Sequence, residues 1–205
     1  YLYQNLKEKK MKLYWFQVAP NPTRVRLSLE EKKVAGSKIK VEEIVIKIVK
    51  GEGKNQEFLD KNPFGTVPVL ELDDGTKIIE SLAIIEYLEM LYPETPMWGD
   101  TILEKTRARE LERIVELKVL MPVANYIHAT NSPLGLPSNP TVAAHAINSL
   151  PSGLDYVQNT LDDGRDYLCG NTVTVADFTL QAATQFARFA SVDLKLTNYP
   201  KIKTW

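Results

Sequence analysis

The hydrophobic pattern of the chain changes character once, near Tyr92, and that change bounds the fold. Before it, short apolar runs flank a helical period. Met11–Phe16 (MKLYWF) is aromatic-rich and reads as a strand. Ala19-Pro20-Asn21-Pro22 must turn, because two prolines remove donors and Pro20 keeps Ala19 out of the helical region. Pro22 suits a first helical turn. Thr23–Val34 has apolar positions at Val25 and Leu29, and at Leu27 and Val34, which predicts an amphipathic helix ended by Gly36. Lys40–Ile48, apolar at Val41, Ile44, Ile46 and Ile48, reads as a second strand. A strand–helix–strand unit of this length implies two parallel strands with a right-handed crossover. Lys50–Lys61 is a charged loop with one helical turn at Gln56–Asp60. Val67–Leu72 and Lys77–Ile79 are short strands, and the intervening Asp73-Asp74-Gly75 is a hairpin signal. Ser81–Leu91 places Ile84, Ile85, Leu88 and Leu91 on one helical face.

After Tyr92, Pro93 and Pro96 bound a short polar linker, and no strand pattern follows. Ile102–Ala129 reads as a long helix with Leu103, Leu111, Ile114, Val115 and Val119 inward and a kink at Pro122. Asn131–Asn139 is a loop. Thr141–Leu161 is a second helix, weakened by Pro151 and Gly153. Thr174–Ala190 is apolar nearly all round, the mark of a buried central helix. Lys201–Trp205 reads as the opening of another helix. The expected organisation is an α/β domain over 11–91, a linker over 92–100 and an all-α domain over 101–205. Residues 1–10 read as a loose leader, with Met11 as a natural start.

Charge and cysteine content narrow the function classes. The 205 residues carry 25 Lys and Arg against 26 Asp and Glu, without the basic excess expected of a nucleic-acid or anionic-membrane binder. No run of about 18 apolar residues exists, so no spanning helix is predicted. Cys169 is the only cysteine, which rules out an intramolecular disulfide. With only two histidines, His128 and His145, an ordinary structural zinc site is not expected. The first residues lack an apolar targeting core, and a reducing cytoplasm is the default expectation.

The stretch richest in chemical information is Asn62-Pro63-Phe64-Gly65-Thr66-Val67-Pro68-Val69-Leu70, followed by Glu80-Ser81 at the opening of a helix. A proline entering a strand cannot continue the ladder, so that edge faces something else. With a cis bond at Pro68, the Val67 N–H and C=O could turn to solvent and pair with a short peptide as an added antiparallel strand. Ser81 reads as a helix N-cap, where a hydroxyl and free N–H groups stabilise an anion. Glu80 is a carboxylate suited to an ammonium. The same features also serve ordinary structural ends: an edge-strand proline and a capping serine. Thr174-Val-Ala-Asp177 is read as structural, a capping box that starts a helix. Cys169 is read as a core thiol.

Taken together, Ala19-Pro-Asn-Pro-Thr-Arg-Val-Arg, Asn62-Pro-Phe-Gly-Thr-Val-Pro-Val, Asp74-Gly75, Glu80-Ser81 and Thr174-Val-Ala-Asp177 resemble the cytosolic glutathione transferase family. The resemblance runs from about Met11 to Trp205, and the first turn is similar to that of some bacterial members with Asn there. It implies a thioredoxin-like N-terminal domain, an all-α C-terminal domain, glutathione as co-substrate, no metal, and a cytoplasmic homodimer acting on a small-molecule electrophile. By position it implies that Val67 pairs with the cysteinyl part of glutathione beside a cis Pro68. Glu80 and Ser81 would hold the γ-glutamyl end, with Lys54 and Thr66 near the glycyl carboxylate. The electrophile would be met by the turn Val18–Asn21 and by residues of the helix Ile102–Ala129.

One departure stands out. Where many members carry a Ser or Cys, this chain has Ala19, and a methyl group donates no hydrogen bond. Asn21, through its side-chain amide, and Thr23, through its hydroxyl, remain as donors to the glutathione sulfur. The positive end of the helix adds to either. Asn21 acting with that helix end is the favoured catalytic arrangement, although Asn also commonly makes turn bonds. Three readings stay open: a transferase, a glutathione-dependent disulfide reductase that needs no cysteine of its own, and a non-catalytic scaffold or regulatory module.

Overall fold

The computed structural model describes residues 10–94 and 96–205, so the expected leader lies, but for Lys10, outside the described residues. The chain divides into two compact units, 1–96 and 97–205.

In the first unit, β1 (Met11–Trp15), α1 (Pro20–Val34), β2 (Val41–Val45), the single turn α2 (Gln56–Leu59), β3 (Val69–Glu71), β4 (Lys77–Ile79) and α3 (Ser81–Leu91) follow in order. The sheet order is β2-β1-β3-β4. β1 and β2 are parallel, as the crossover pattern predicts, and β3 runs antiparallel to both β1 and β4. Pairing sets Leu13 against Leu70 and Tyr14 against Val69. Side chains alternate across a strand, so each pair lies on its own face of the sheet. Tyr14 and Val69 join Phe58 and Val67 in one cluster. On the opposite face Leu13 and Leu70 are fully buried, as are Val25 of α1 and Ile84, Ile85 and Leu88 of α3. α1 packs on α3, and α3 on β3 and β4.

Helix α1 departs from its sequence pattern. Val34, expected on an apolar face, is 84% exposed. The helix instead buries a polar row at i, i+4 and i+8: Arg24, Ser28 and Lys32 are at most 2% exposed. Lys32 Nζ lies 2.6 Å from Glu89 Oε2 and donates to the Tyr92 carbonyl at 3.1 Å. These contacts tie the end of α1 to the end of α3.

The second unit is helical throughout. It contains α4 (Ile102–Val115), a π-helical turn (Glu116–Leu120), α5 (Met121–Thr130), α6 (Pro140–Thr160), α7 (Val175–Phe189) and the short α8 (Pro200–Thr204). The expected kink at Pro122 takes the form of the π turn just before it, a usual way of absorbing an interrupted hydrogen-bond ladder. Leu103, expected inward, is 66% exposed, because it lies in the first turn of α4, ahead of the core that begins at Leu111. Gly153 explains itself by packing. A Cβ there would meet Lys118 O at 2.2 Å, so α6 and the π turn touch backbone to backbone. Helix α7 is the central helix, and Thr174 with Asp177 forms its capping box. Asp177 accepts the N–H groups of Leu168 (2.9 Å) and Thr174 (2.8 Å). Among the described residues no helix is long and apolar enough to cross a membrane.

Candidate functional site

The first unit brings the residues singled out in the sequence to neighbouring positions by three devices. The first is strand register. β3 and β4 pair Val69 with Ile79, so Val67 lies two residues before the start of one strand and Ser81 two residues past the end of its neighbour. The Val67–Pro68 bond is cis. Val67 itself is 7% exposed, its side chain packed with Tyr14, Phe58 and Val69. Yet among the described residues neither its N–H nor its C=O pairs with another backbone group.

The second device is a pair of glycines. A Cβ on Gly53 would lie 2.4 Å from Gly65 O, and one on Gly65 would lie 2.5 Å from Gly53 O. Gly65 also has φ +65°, the left-handed region that glycine enters freely. The two loops therefore touch main chain to main chain at the residues that immediately precede Lys54 and Thr66. Buried Asn62 braces the second loop, donating to the Thr66 carbonyl (2.7 Å) and hydroxyl (3.0 Å). The Lys54 side chain is exposed and makes no ion pair among the described residues.

The third device is Arg24, which the sequence reading missed. Its side chain is buried, yet its Nε donates to Ser81 Oγ at 2.8 Å and its Nη2 to Asn21 Oδ1 at 3.1 Å. The start of α1 and the start of α3 are thus joined through one guanidinium. A charged residue beside Val25 on a helix face reads as solvent-exposed in sequence, so no local signal marked it.

Helix α3 spans Ser81–Leu91 as expected, but its cap lies one residue before the expected one. Glu80 is the N-cap, and Ser81 is the first helical residue, 1% exposed. Glu80 has φ 70° and ψ 118°, a conformation that non-glycine residues rarely adopt and that tends to cluster at binding sites. Its carboxylate is exposed and makes no hydrogen bond or ion pair among the described residues.

The first turn of α1 leaves few donors. Pro20 and Pro22 lack N–H groups, and the Asn21 N–H has no backbone partner among the described residues. The turn carries no acidic side chain to offset the positive helix end. Ala19 is the N-cap, and its carbonyl accepts both the N–H (3.1 Å) and the hydroxyl (2.9 Å) of Thr23. Thr23 is thereby turned back onto its own helix, whereas the Asn21 side chain is exposed. A guanidinium has donors only, so Asn21 must present its oxygen to Arg24, which leaves the amide NH2 directed away.

Elsewhere, Cys169 is half-buried, and its thiol accepts from Thr174 Oγ1 at 3.3 Å. Burial pushes its pKa up, as expected of a core thiol rather than a nucleophile. Among the described residues no group of three or more His, Cys, Asp or Glu is placed to hold a metal ion.

Known proteins resemble this chain in sequence and fold. The family models described as glutathione S-transferase, N-terminal domain, and glutathione S-transferase, C-terminal domain, match residues 13–96 and 140–205. Glutathione S-transferase 2 of Saccharomyces cerevisiae is 37% identical over 91% of this chain and 80% of its own length. The maleylacetoacetate isomerase of Dictyostelium discoideum is 32% identical, over 95% of this chain and 86% of its own length. The crystal structure of a glutathione S-transferase domain-containing protein from Marinobacter aquaeolei superposes with a TM-score of 0.85 at 33% identity, covering 95% of this chain and 94% of that one. With both domains matched and the likeness running through nearly the whole sequence, the chain belongs to the glutathione S-transferase family.

Proposed function

We propose that this protein binds glutathione along the main chain of Val67, stabilises its thiolate at Asn21, and transfers it to a small electrophile. The observation that carries this reading is the unpaired N–H and C=O of Val67. Main-chain polar groups on a buried residue need a partner, and an extended peptide supplies one by adding as an antiparallel strand. The cysteinyl residue of the tripeptide pairs there. Its γ-glutamyl end reaches Ser81, whose hydroxyl meets the carboxylate, and Glu80, whose exposed carboxylate meets the ammonium. The glycyl carboxylate falls to Lys54 and Thr66.

In this arrangement the sulfur lies near the first turn of α1. The Nδ2 donor of Asn21 and the positive helix end favour the thiolate over the thiol. The thiol proton leaves to solvent. The sulfur lone pair then forms a bond to the electrophilic atom as the leaving group, or a π-electron pair, departs from it. The protein contributes thiolate stabilisation and proximity. Ala19 supplies no donor, so stabilisation rests on Asn21 and the helix. The homodimer and the cytoplasmic setting belong to the same reading and rest on family membership.

The test is a thiolate absorbance titration of the glutathione complex. A hydrogen bond to a charged group is worth about 1.5–3 kcal/mol, or about one to two pKa units. Asn21→Ala should therefore raise the bound thiol pKa by about that much and lower turnover in proportion. An unchanged titration removes Asn21 from the chemistry. Absence of glutathione binding at millimolar ligand refutes the transferase reading and favours a non-catalytic module.

A further inference from the structure

Arginine seldom leaves water unless its donors are used, and Arg24 is 2% exposed. One of its donors goes to Ser81 Oγ, 57 positions away in sequence, at 2.8 Å and another to Asn21 Oδ1, one helical turn away, at 3.1 Å, and both acceptors belong to the proposed glutathione site. The guanidinium is planar and rigid, so the two acceptors share one fixed fork.

The chemical consequence differs at each end. A side-chain amide rotates broadly and can offer either oxygen or NH2. Oxygen turned toward a thiolate repels it, whereas NH2 stabilises it. By holding Oδ1, Arg24 decides which face Asn21 shows. At the other end, the Ser81 hydroxyl has a single proton. Because it accepts from Arg24 Nε, that proton points elsewhere, free for an anionic ligand.

We infer that Arg24 is a positioning residue that acts through Asn21 and Ser81, holding the amide NH2 toward the glutathione sulfur and the hydroxyl toward the γ-glutamyl carboxylate. The inference rests on the glutathione site described above. It makes the two ends of the bound tripeptide interdependent, because one side chain sets the donor at each. A purely structural Arg24 would only tie α1 to α3, and its loss would move stability without moving the titration of the bound thiol.

The test is a double-mutant cycle read by thiolate absorbance against pH, in wild type, Arg24→Lys, Asn21→Ala and the double variant, with a thermal melt to establish folding. Lysine keeps the charge but cannot form the fork. Arg24→Lys should raise the bound thiol pKa about as much as Asn21→Ala does, leaving about ten- to a hundred-fold less thiolate at neutral pH. The double variant should show no further rise. An additive rise, or an unmoved titration in a folded Arg24→Lys protein, overturns the inference. A second measurement leaves Arg24 in place, in case its variant fails to fold. It is calorimetry with γ-glutamyl-alanyl-glycine, which has no sulfur. Asn21→Ala should weaken that ligand about three-fold or more, because the released guanidinium no longer orients Ser81. Unchanged affinity contradicts the coupling. A wild-type protein that binds no glutathione, or leaves its thiol pKa unshifted, removes the site reading and this inference together. A lowered wild-type pKa with additive variants removes this inference alone.

Discussion

Replacing Glu80 by glycine asks whether the unusual corner at the head of α3 exists for the fold or for the ligand. At φ 70° and ψ 118° an L-residue carries about 1–3 kcal/mol of strain. The side chain gives nothing visible back to the fold, since its carboxylate is exposed and makes no bond among the described residues. Glycine removes the Cβ clash but adds about 0.5–1 kcal/mol of unfolded-chain entropy. The difference predicts a Glu80→Gly protein as stable as wild type, or more stable by up to about 2 kcal/mol. Glu80→Ala keeps the strain while losing the same carboxylate, so its stability should stay within about 0.5 kcal/mol of wild type. Both variants lose the partner of the γ-glutamyl ammonium, and calorimetry should show glutathione bound about ten-fold more weakly in each. Urea denaturation gives the stabilities. A Glu80→Gly protein less stable than Glu80→Ala, or wild-type glutathione affinity in either variant, would refute a corner kept for the ligand.

Three further outcomes follow from the packing and the polar contacts. Helix propensity alone favours Gly153→Ala by about 1 kcal/mol, but the 2.2 Å approach to Lys118 O reverses the sign. A loss of about 1–3 kcal/mol is expected in a thermal or urea melt, and a gain would show that α6 can move off the π turn freely. Asp177→Ala strands the buried N–H groups of Leu168 and Thr174. It should destabilise by about 2 kcal/mol or more, and a protein of normal stability would contradict the capping role. The Tyr14 phenol is pushed up to about 12, first by burial and then by its hydrogen bond to Glu71. Its folded pKa thus lies above the ordinary value of about 10. Its contribution to stability is therefore complete below about pH 10 and is lost as the pH rises toward 12. Tyr14→Phe should remove that part of the alkaline decline, and identical declines in the two proteins would refute it.

The fold was legible in sequence wherever periodicity and turn chemistry agree. The Asp-Gly hairpin, the proline turn before α1 and the apolar face of α3 all lie where their residues place them. A role moved by one residue where two neighbours compete for it, as when Glu80 rather than Ser81 caps α3. What sequence could not show is burial of polar side chains. Arg24, Ser28 and Lys32 recur at helical spacing, and periodicity assigns such a row to solvent. Only tertiary partners such as Ser81, Glu89 and the Tyr92 carbonyl make it an interior face. The same limit hid the brace on Asn21. Asn21 was the favoured donor in sequence with Thr23 as the second, and the hydrogen bond from Thr23 Oγ1 to the Ala19 carbonyl turns that second hydroxyl back onto its own helix. Gly53 and Gly65 likewise gave no sign of facing each other, because close backbone approach joins positions far apart in sequence.

A crystal structure of the protein with glutathione bound shows whether the main chain of Val67 receives the tripeptide. The expected result is two main-chain hydrogen bonds between Val67 and the cysteinyl residue, with the γ-glutamyl end at Glu80 and Ser81 and the sulfur within reach of Asn21 Nδ2. Glutathione seated away from Val67, or a tripeptide whose cysteinyl backbone makes neither bond, would contradict it.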